Sequence, residues 1–177
     1  GPCMSLKKYE EHLRKSAAVM GLDPARSTGI GTAARMENAA IVEETYEELK
    51  VAACVTAGVE GNAGCAGDPA GYYGAGARPE IYRPGTINIL LFINADMPPG
   101  ILTRALVTCT EGKTAALREL MVGSRYSENP ATGTGTDSTI IVCDPKSSLY
   151  FRSAGKHNKL GELIGKTVKE AVKKALG

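Results

Sequence analysis

At 177 residues and 18.5 kDa the chain has room for one domain with its own core, and its 43 % hydrophobic and 23 % charged residues exclude a disordered tail or a fibrous protein. Lys and Arg number 21 against 19 Asp and Glu, for a net charge of +2 with the basic residues spread along the chain, so nucleic acid is not an expected partner. No apolar run reaches the 18 or more residues of a membrane span and no basic-then-apolar leader opens the chain, so no membrane partner and a cytoplasmic location are expected.

Gly1 and Pro2, with Cys3, read as the remnant of a cleaved tag, leaving one domain over residues 4–177. From Ser5 to Met20, the residues Leu6, Tyr9, Leu13, Ala17 and Met20 recur at three- and four-residue steps. That spacing predicts an amphipathic helix with His12 off the stripe and Gly21 as its stop. A second helix is expected over residues 34–49, with Glu43, Glu44, Glu47 and Glu48 as its solvated face. The runs 51–59, 87–93 and 139–143 read as strands, and their continuous rather than alternating apolarity predicts cover on both faces. A fourth strand is expected over 149–152, after the turn at Asp144-Pro145-Lys146-Ser147. Long helices are expected over 99–122 and 158–176, each with a leucine- or valine-bearing face. The class is mixed α/β, helices packed on a mainly buried sheet. The order after residue 50 suggests two tandem strand-strand-helix units.

Cys54, Cys109 and Cys143 lie in apolar segments and read as reduced core residues, whereas Cys65 lies in a glycine-rich loop. That loop, Glu60 to Gly85, holds seven glycines and three prolines and carries Tyr72, Tyr73 and Tyr82, whose flat faces suit a large ligand. Two Gly-Lys-Thr triplets, at 112–114 and 165–167, lack the glycine a phosphate loop needs five residues earlier, where Val107 and Leu160 stand. Dinucleotide fingerprints fail likewise, and neither a cofactor nor a metal is expected.

Half of a site is read at Thr132-Gly133-Thr134-Gly135-Thr136-Asp137-Ser138, where bare backbone alternates with hydroxyls and a carboxylate. His157 precedes a helix that Asn158 is placed to cap, and the positive helix end favours a neutral imidazole able to act as base. Lys113 interrupts the apolar stripe of its helix at a four-residue step from Cys109 and Leu117, so its ammonium needs a partner or a route to solvent. The direction of Glu111 stays open, because Thr108-Cys109-Thr110-Glu111 also reads as a capping box.

These residues resemble the adenosylcobinamide amidohydrolases of corrinoid salvage. The likeness runs through Met36-Glu37-Asn38-Ala39-Ala40, Val55-Thr56-Ala57-Gly58-Val59, Gly67-Asp68-Pro69, Gly85-Thr86-Ile87-Asn88-Ile89, Thr110 to Leu117, Ala131 to Asp137 and Ala154 to Glu162. Two departures are Gly112, where alanine is usual, and Cys65, where arginine is expected. The resemblance implies cleavage of the amide joining aminopropanol to the corrin ring, with the corrinoid as substrate and not as cofactor; a non-catalytic corrinoid carrier is the alternative. Amide hydrolysis needs a nucleophile, an oxyanion site and a proton for the leaving amine. His157 would activate water or a hydroxyl, oriented by Asp137 or Glu111. The amides of Gly133 to Gly135 or the Lys113 ammonium would face the oxyanion. Thr134, Thr136, Ser138 and Cys65 are candidate nucleophiles. Asn62, Asp68, Asn88, Thr132, Tyr72 and Tyr73 would bind the substrate.

Overall fold

The computed structural model describes residues 6–73, 75 and 83–177. Gly1 to Cys3, which read as a tag remnant from sequence, and the loop tyrosine Tyr82 lie outside the described residues. The chain divides into two compact units, Gly1–Gly31 and Thr32–Gly177. In the first, α1 (Leu6–Val19) forms as its periodicity dictates, and His12 is exposed. Gly21, at φ 74°, closes the helix end in the left-handed region that glycine enters without strain, and the Tyr9 hydroxyl accepts a 2.7 Å bond from the Gly31 amide.

The second unit is built on a four-stranded mixed sheet. Strands β1 (Ala40–Tyr46), β2 (Leu49–Gly58) and β4 (Thr86–Ile93) follow one another antiparallel, and β6 (Ser138–Cys143) adds parallel to β4, giving the order β1-β2-β4-β6. A second, two-stranded sheet pairs β3 (Ala63–Gly64) with β5 (Gly133–Thr134). Helices α2 (Pro99–Glu119) and α3 (Lys159–Leu176) complete the unit. No helix among the described residues is long and apolar enough to cross a membrane.

Four expectations are corrected. Residues 34–49 are not a helix. The β-branched Ile41, Val42 and Thr45 pair with β2 in a hairpin whose turn places Glu47 at φ 52°, so of the glutamates that suggested a helix face Glu43 and Glu44 lie in β1 and Glu47 and Glu48 form its turn. Residues 149–152 make a single bridge, Asp96 to Tyr150, rather than a strand, so the second half of the supposed repeat supplies one strand where the first supplies two. Tandem strand-strand-helix units are therefore absent. Cover on both faces also fails: Val51, Ala53, Val55, Ile87, Ile89 and Leu91 are buried with α2 and α3 residues in one core, while Ile41, Phe92 and Val142 on the other face are 74 %, 44 % and 42 % exposed.

The core is apolar and closely built. Cys109 is buried in it, and desolvation pushes its thiol up to about 12 despite the nearby Lys113 charge, which leaves it inert as a nucleophile. Cys54, Cys65 and Cys143 are free and only half-buried, so Cys54 and Cys143 are not the sealed core residues their sequence context suggested. Cys143 packs at the core margin, whereas Cys54 stands on the uncovered face, opposite Ile41 and Leu90.

Helices α2 and α3 approach closely at Gly112, where an added Cβ would lie 3.2 Å from the Gly165 carbonyl oxygen and 3.4 Å from Val168 Cβ. Gly165 differs, because a Cβ there meets nothing within 4 Å. Gly165→Ala should therefore raise stability by ~0.5–1 kcal/mol through the lower backbone entropy of the unfolded chain, measured by urea unfolding. A fall in the midpoint would refute this crossing geometry.

Candidate active site

The end of the sheet where β4 and β6 begin gathers most of the residues singled out from sequence. Asp137 is the hub. Its Oδ1 accepts from the Ile87 amide at 2.9 Å and the Thr134 hydroxyl at 2.6 Å, and its Oδ2 accepts from the Thr134 amide at 3.0 Å and from the Lys113 ammonium. The Lys113–Asp137 ion pair is mostly shielded, with side chains 12 % and 15 % exposed. Lys113 thus resolves its place on an apolar stripe by reaching a carboxylate rather than solvent. Gly133 makes this possible, since a Cβ there would run into the Asp137 carboxylate and lie 2.6 Å from Lys113 Nζ.

Around this pair the Thr-Gly segment is fixed at each step. The Thr132 hydroxyl accepts from the Ala66 amide at 2.8 Å, and the Thr132 carbonyl accepts from the Thr114 hydroxyl at 3.2 Å. The Thr136 amide donates to the Thr134 hydroxyl at 3.3 Å, and the Thr136 hydroxyl to the Gly85 carbonyl at 2.9 Å. Gly85, at φ 139°, has the Gly58 carbonyl oxygen 3.0 Å from where a Cβ would sit, so only glycine fits. The Thr134 and Thr136 amides are therefore engaged within the segment.

Asn62 is buried against Gly135, donating to the Gly85 carbonyl at 3.2 Å and accepting from the Tyr126 hydroxyl at 3.0 Å. Asn88, buried on β4, accepts from the Thr86 hydroxyl at 3.3 Å. Asp68 accepts from the Cys65 amide at 2.7 Å and from the Ser124 and Ser127 hydroxyls at 2.5 Å each, so it staples the 65–68 turn to the 124–127 segment. The Ser124 hydroxyl first, then Ser127 and the Cys65 amide, hold its carboxyl below the ordinary 3.8. A depressed carboxylate adds stability above its unfolded value and loses it as pH falls through the folded one, so Asp68→Asn should flatten the acid-unfolding curve below about pH 4. An unchanged curve would remove the staple.

Two expected members stand apart. Glu111 is exposed and pairs with Lys156 at 3.3 Å. His157 is exposed, and Asp137, whose oxygens already take four donors, does not orient it. Topology gives the reason. Asp137 precedes β6, whereas the segment leading to His157 leaves the far end of that strand and bonds to Ala95 and Asp96 beyond β4. From there the chain turns back along α2, where the Ala154 carbonyl accepts from the Thr108 hydroxyl and Lys156 pairs with Glu111, and His157 lies in solvent beside the start of α3. Asn158 does cap α3, accepting from the Gly161 amide at 2.9 Å, so the local reading of the helix start is correct while the imidazole beside it is solvated. His157→Ala is expected to leave turnover within a few-fold of the parent protein, and a loss of ~100-fold would restore the imidazole to the chemistry.

Tyr72 and Tyr73 are 58 % and 92 % exposed in the described part of the long loop. Sequence reasoning passed over Thr86, Thr114, Ser124, Tyr126 and Ser127. These are isolated hydroxyl residues in unrelated segments, and only the chain's folding brings them against Thr136, Thr132, Asp68 and Asn62. One cavity among the described residues, about 570 Å³, is a groove between α2 and α3 lined by Glu111, Gly112, Arg118, Lys156 and Gly165. A smaller one, about 310 Å³, is lined by Arg35, Asn38, Gly58, Gly61 and Gly85. The smaller one adjoins the chemistry, because the Gly85 carbonyl binds both Thr136 and Asn62.

An uncharacterized protein of Methanocaldococcus jannaschii is 35 % identical over 181 residues, covering 96 % of this chain and 69 % of the relative. The adenosylcobinamide amidohydrolase of Methanosarcina mazei is 30 % identical over 175 residues, covering 94 % and 74 %. No solved structure matches. The family model for adenosylcobinamide amidohydrolase matches residues 2–177, and the chain belongs to that family.

Proposed function

We propose that this chain hydrolyses the amide joining aminopropanol to the corrin ring of adenosylcobinamide, releasing adenosylcobyric acid for cobamide synthesis. The family and the name of the Methanosarcina mazei relative support the substrate. The observation that carries the chemistry is one carboxylate, Asp137, binding both an ammonium and a hydroxyl: Lys113 on one oxygen, Thr134 on the other. Hydroxyl, base and cation are the three groups an acyl transfer needs.

In this reading the Thr134 oxygen attacks the amide carbon and its proton passes to Asp137. Lys113 faces the oxyanion. As the C–N bond breaks, the amine leaves with the proton held by Asp137, and water then hydrolyses the Thr134 ester, restoring the hydroxyl. The 310 Å³ cavity beside Gly85 receives the departing arm. Asn62, Asp68, Asn88, Thr132 and Thr136 act by holding this frame, and His157, Glu111, Tyr72 and Tyr73 remain outside it.

The deciding experiment is incubation with adenosylcobinamide and detection of free aminopropanol by mass spectrometry. Stoichiometric binding without aminopropanol release would favour the carrier reading.

A further inference from the structure

The loop between the bridged residues Gly123 and Pro130 carries one aromatic residue, Tyr126, and holds it in place at several points. The Arg125 amide donates to the Ala63 carbonyl at 2.9 Å, the Tyr126 amide to the Ser124 hydroxyl at 3.0 Å, and the Tyr126 hydroxyl to Asn62 Oδ1 at 3.0 Å. Asp68 fixes the serines on either side, Ser124 and Ser127. Tyr126 is nevertheless 46 % exposed. Since its amide and its hydroxyl are both bonded, most of what it shows to water is ring. Tyr46 and Tyr150 are as exposed, but Lys159 and Arg152 lie over their rings at 4.5 and 5.8 Å. Among the described residues no cation covers Tyr126.

We infer that Tyr126 binds the substrate, its ring forming the apolar wall on which the rim of the corrin macrocycle rests while the amide is held at Thr134. The inference rests on the corrinoid reading above. Position is the first argument. Gly64 of β3 and Gly133 of β5 are directly opposite, so side chains there would share one face of the small sheet. A Cβ on Gly64 would lie 3.4 and 3.7 Å from Cδ2 and Cε2 of Tyr126, and a Cβ on Gly133 would lie 2.6 Å from Lys113 Nζ, against the Asp137 carboxylate. The two Cβ positions of such a pair are ~5 Å apart, which puts the ring edge within about 12 Å of the ammonium on the same face. Two facing glycines leave a hollow there, with Tyr126 on one side, the ion pair on the other, and Thr134 next in the chain. Rigidity is the second argument. A ring fixed in water gains little from packing, yet it offers a ligand an amphipathic surface whose ordering cost is already met by the fold.

Two readouts test this. In steady-state kinetics with adenosylcobinamide, Tyr126→Ala is expected to raise KM ~10-fold with kcat within about threefold, the pattern of lost uniform binding. Tyr126→Phe keeps the ring and loses only the bond to Asn62, so its KM should stay near the parental value. Damage in the phenylalanine variant equal to that in the alanine variant, or a fall in kcat at unchanged KM, overturns the inference in favour of a positioning role through Asn62. Parental kinetics in a folded Tyr126→Ala also overturns it. Nitration of the parent chain by tetranitromethane, read on tyrosine peptides, needs no variant and decides the matter if thermal unfolding shows that Tyr126→Ala does not fold. Bound cobinamide should slow nitration of Tyr126 and leave Tyr46 and Tyr150 unchanged. A Tyr126 rate indifferent to cobinamide, in a chain that releases aminopropanol, overturns the inference and leaves the hydrolase reading intact. Protection of Tyr126 without aminopropanol release supports the surface and rejects the hydrolysis.

Discussion

Replacing Asp137 with alanine is expected to cut aminopropanol release by ~100-fold or more and to destabilise the fold. The carboxylate takes donors from β4, α2 and its own turn, so its loss unties three elements at once. It also leaves the Lys113 ammonium unpaired where its side chain is only 12 % exposed. Stranding a shielded charge costs about 3 kcal/mol, the low end of the range because the pair keeps some contact with water. Urea unfolding separates the two effects. If charge isolation dominates, adding Lys113→Met to Asp137→Ala recovers stability, because the second change removes the orphaned ammonium. It recovers no activity. A double variant no more stable than Asp137→Ala alone would show that the tie between strand and turn, not the ion pair, holds this end of the sheet.

Thr134→Val should abolish turnover to a comparable extent while keeping the fold, since valine matches threonine in shape and lacks only the hydroxyl that Asp137 binds at 2.6 Å. Thr134→Ser restores the hydroxyl and should retain measurable turnover, a rescue that a merely structural role would not require. Intact-mass analysis during turnover supplies a second readout: the parent chain should show a corrinoid ester on the peptide containing Thr134, trapped by hydroxylamine as the hydroxamate. Parental rates in the valine variant would move the attack to water or to a neighbouring hydroxyl, with Asp137 keeping its place as the proton acceptor.

The elements that sequence fixed correctly are those whose signal is local. Apolar steps of three and four residues mark α1, α2 and α3, Gly21 and Asn158 mark helix ends, and the run at 87–93 is β4 within a residue. The cluster at Thr132 to Ser138 was legible because its residues are adjacent, and the misplaced charge of Lys113 announced a partner without naming it. Residues 40–46 went the other way, since glutamate density favours a helix in isolation and only pairing with β2 makes the strand worthwhile. His157 shows the same limit at the level of the site. Its capping environment is local and legible, but its exposure, and the engagement of Asp137 by Ile87, Lys113 and Thr134 instead, are set by how distant segments pack. The uncovered face has the same origin. A continuously apolar strand states that both its sides avoid water, and the placement of α2 and α3 decided which side the protein covers and which it leaves exposed.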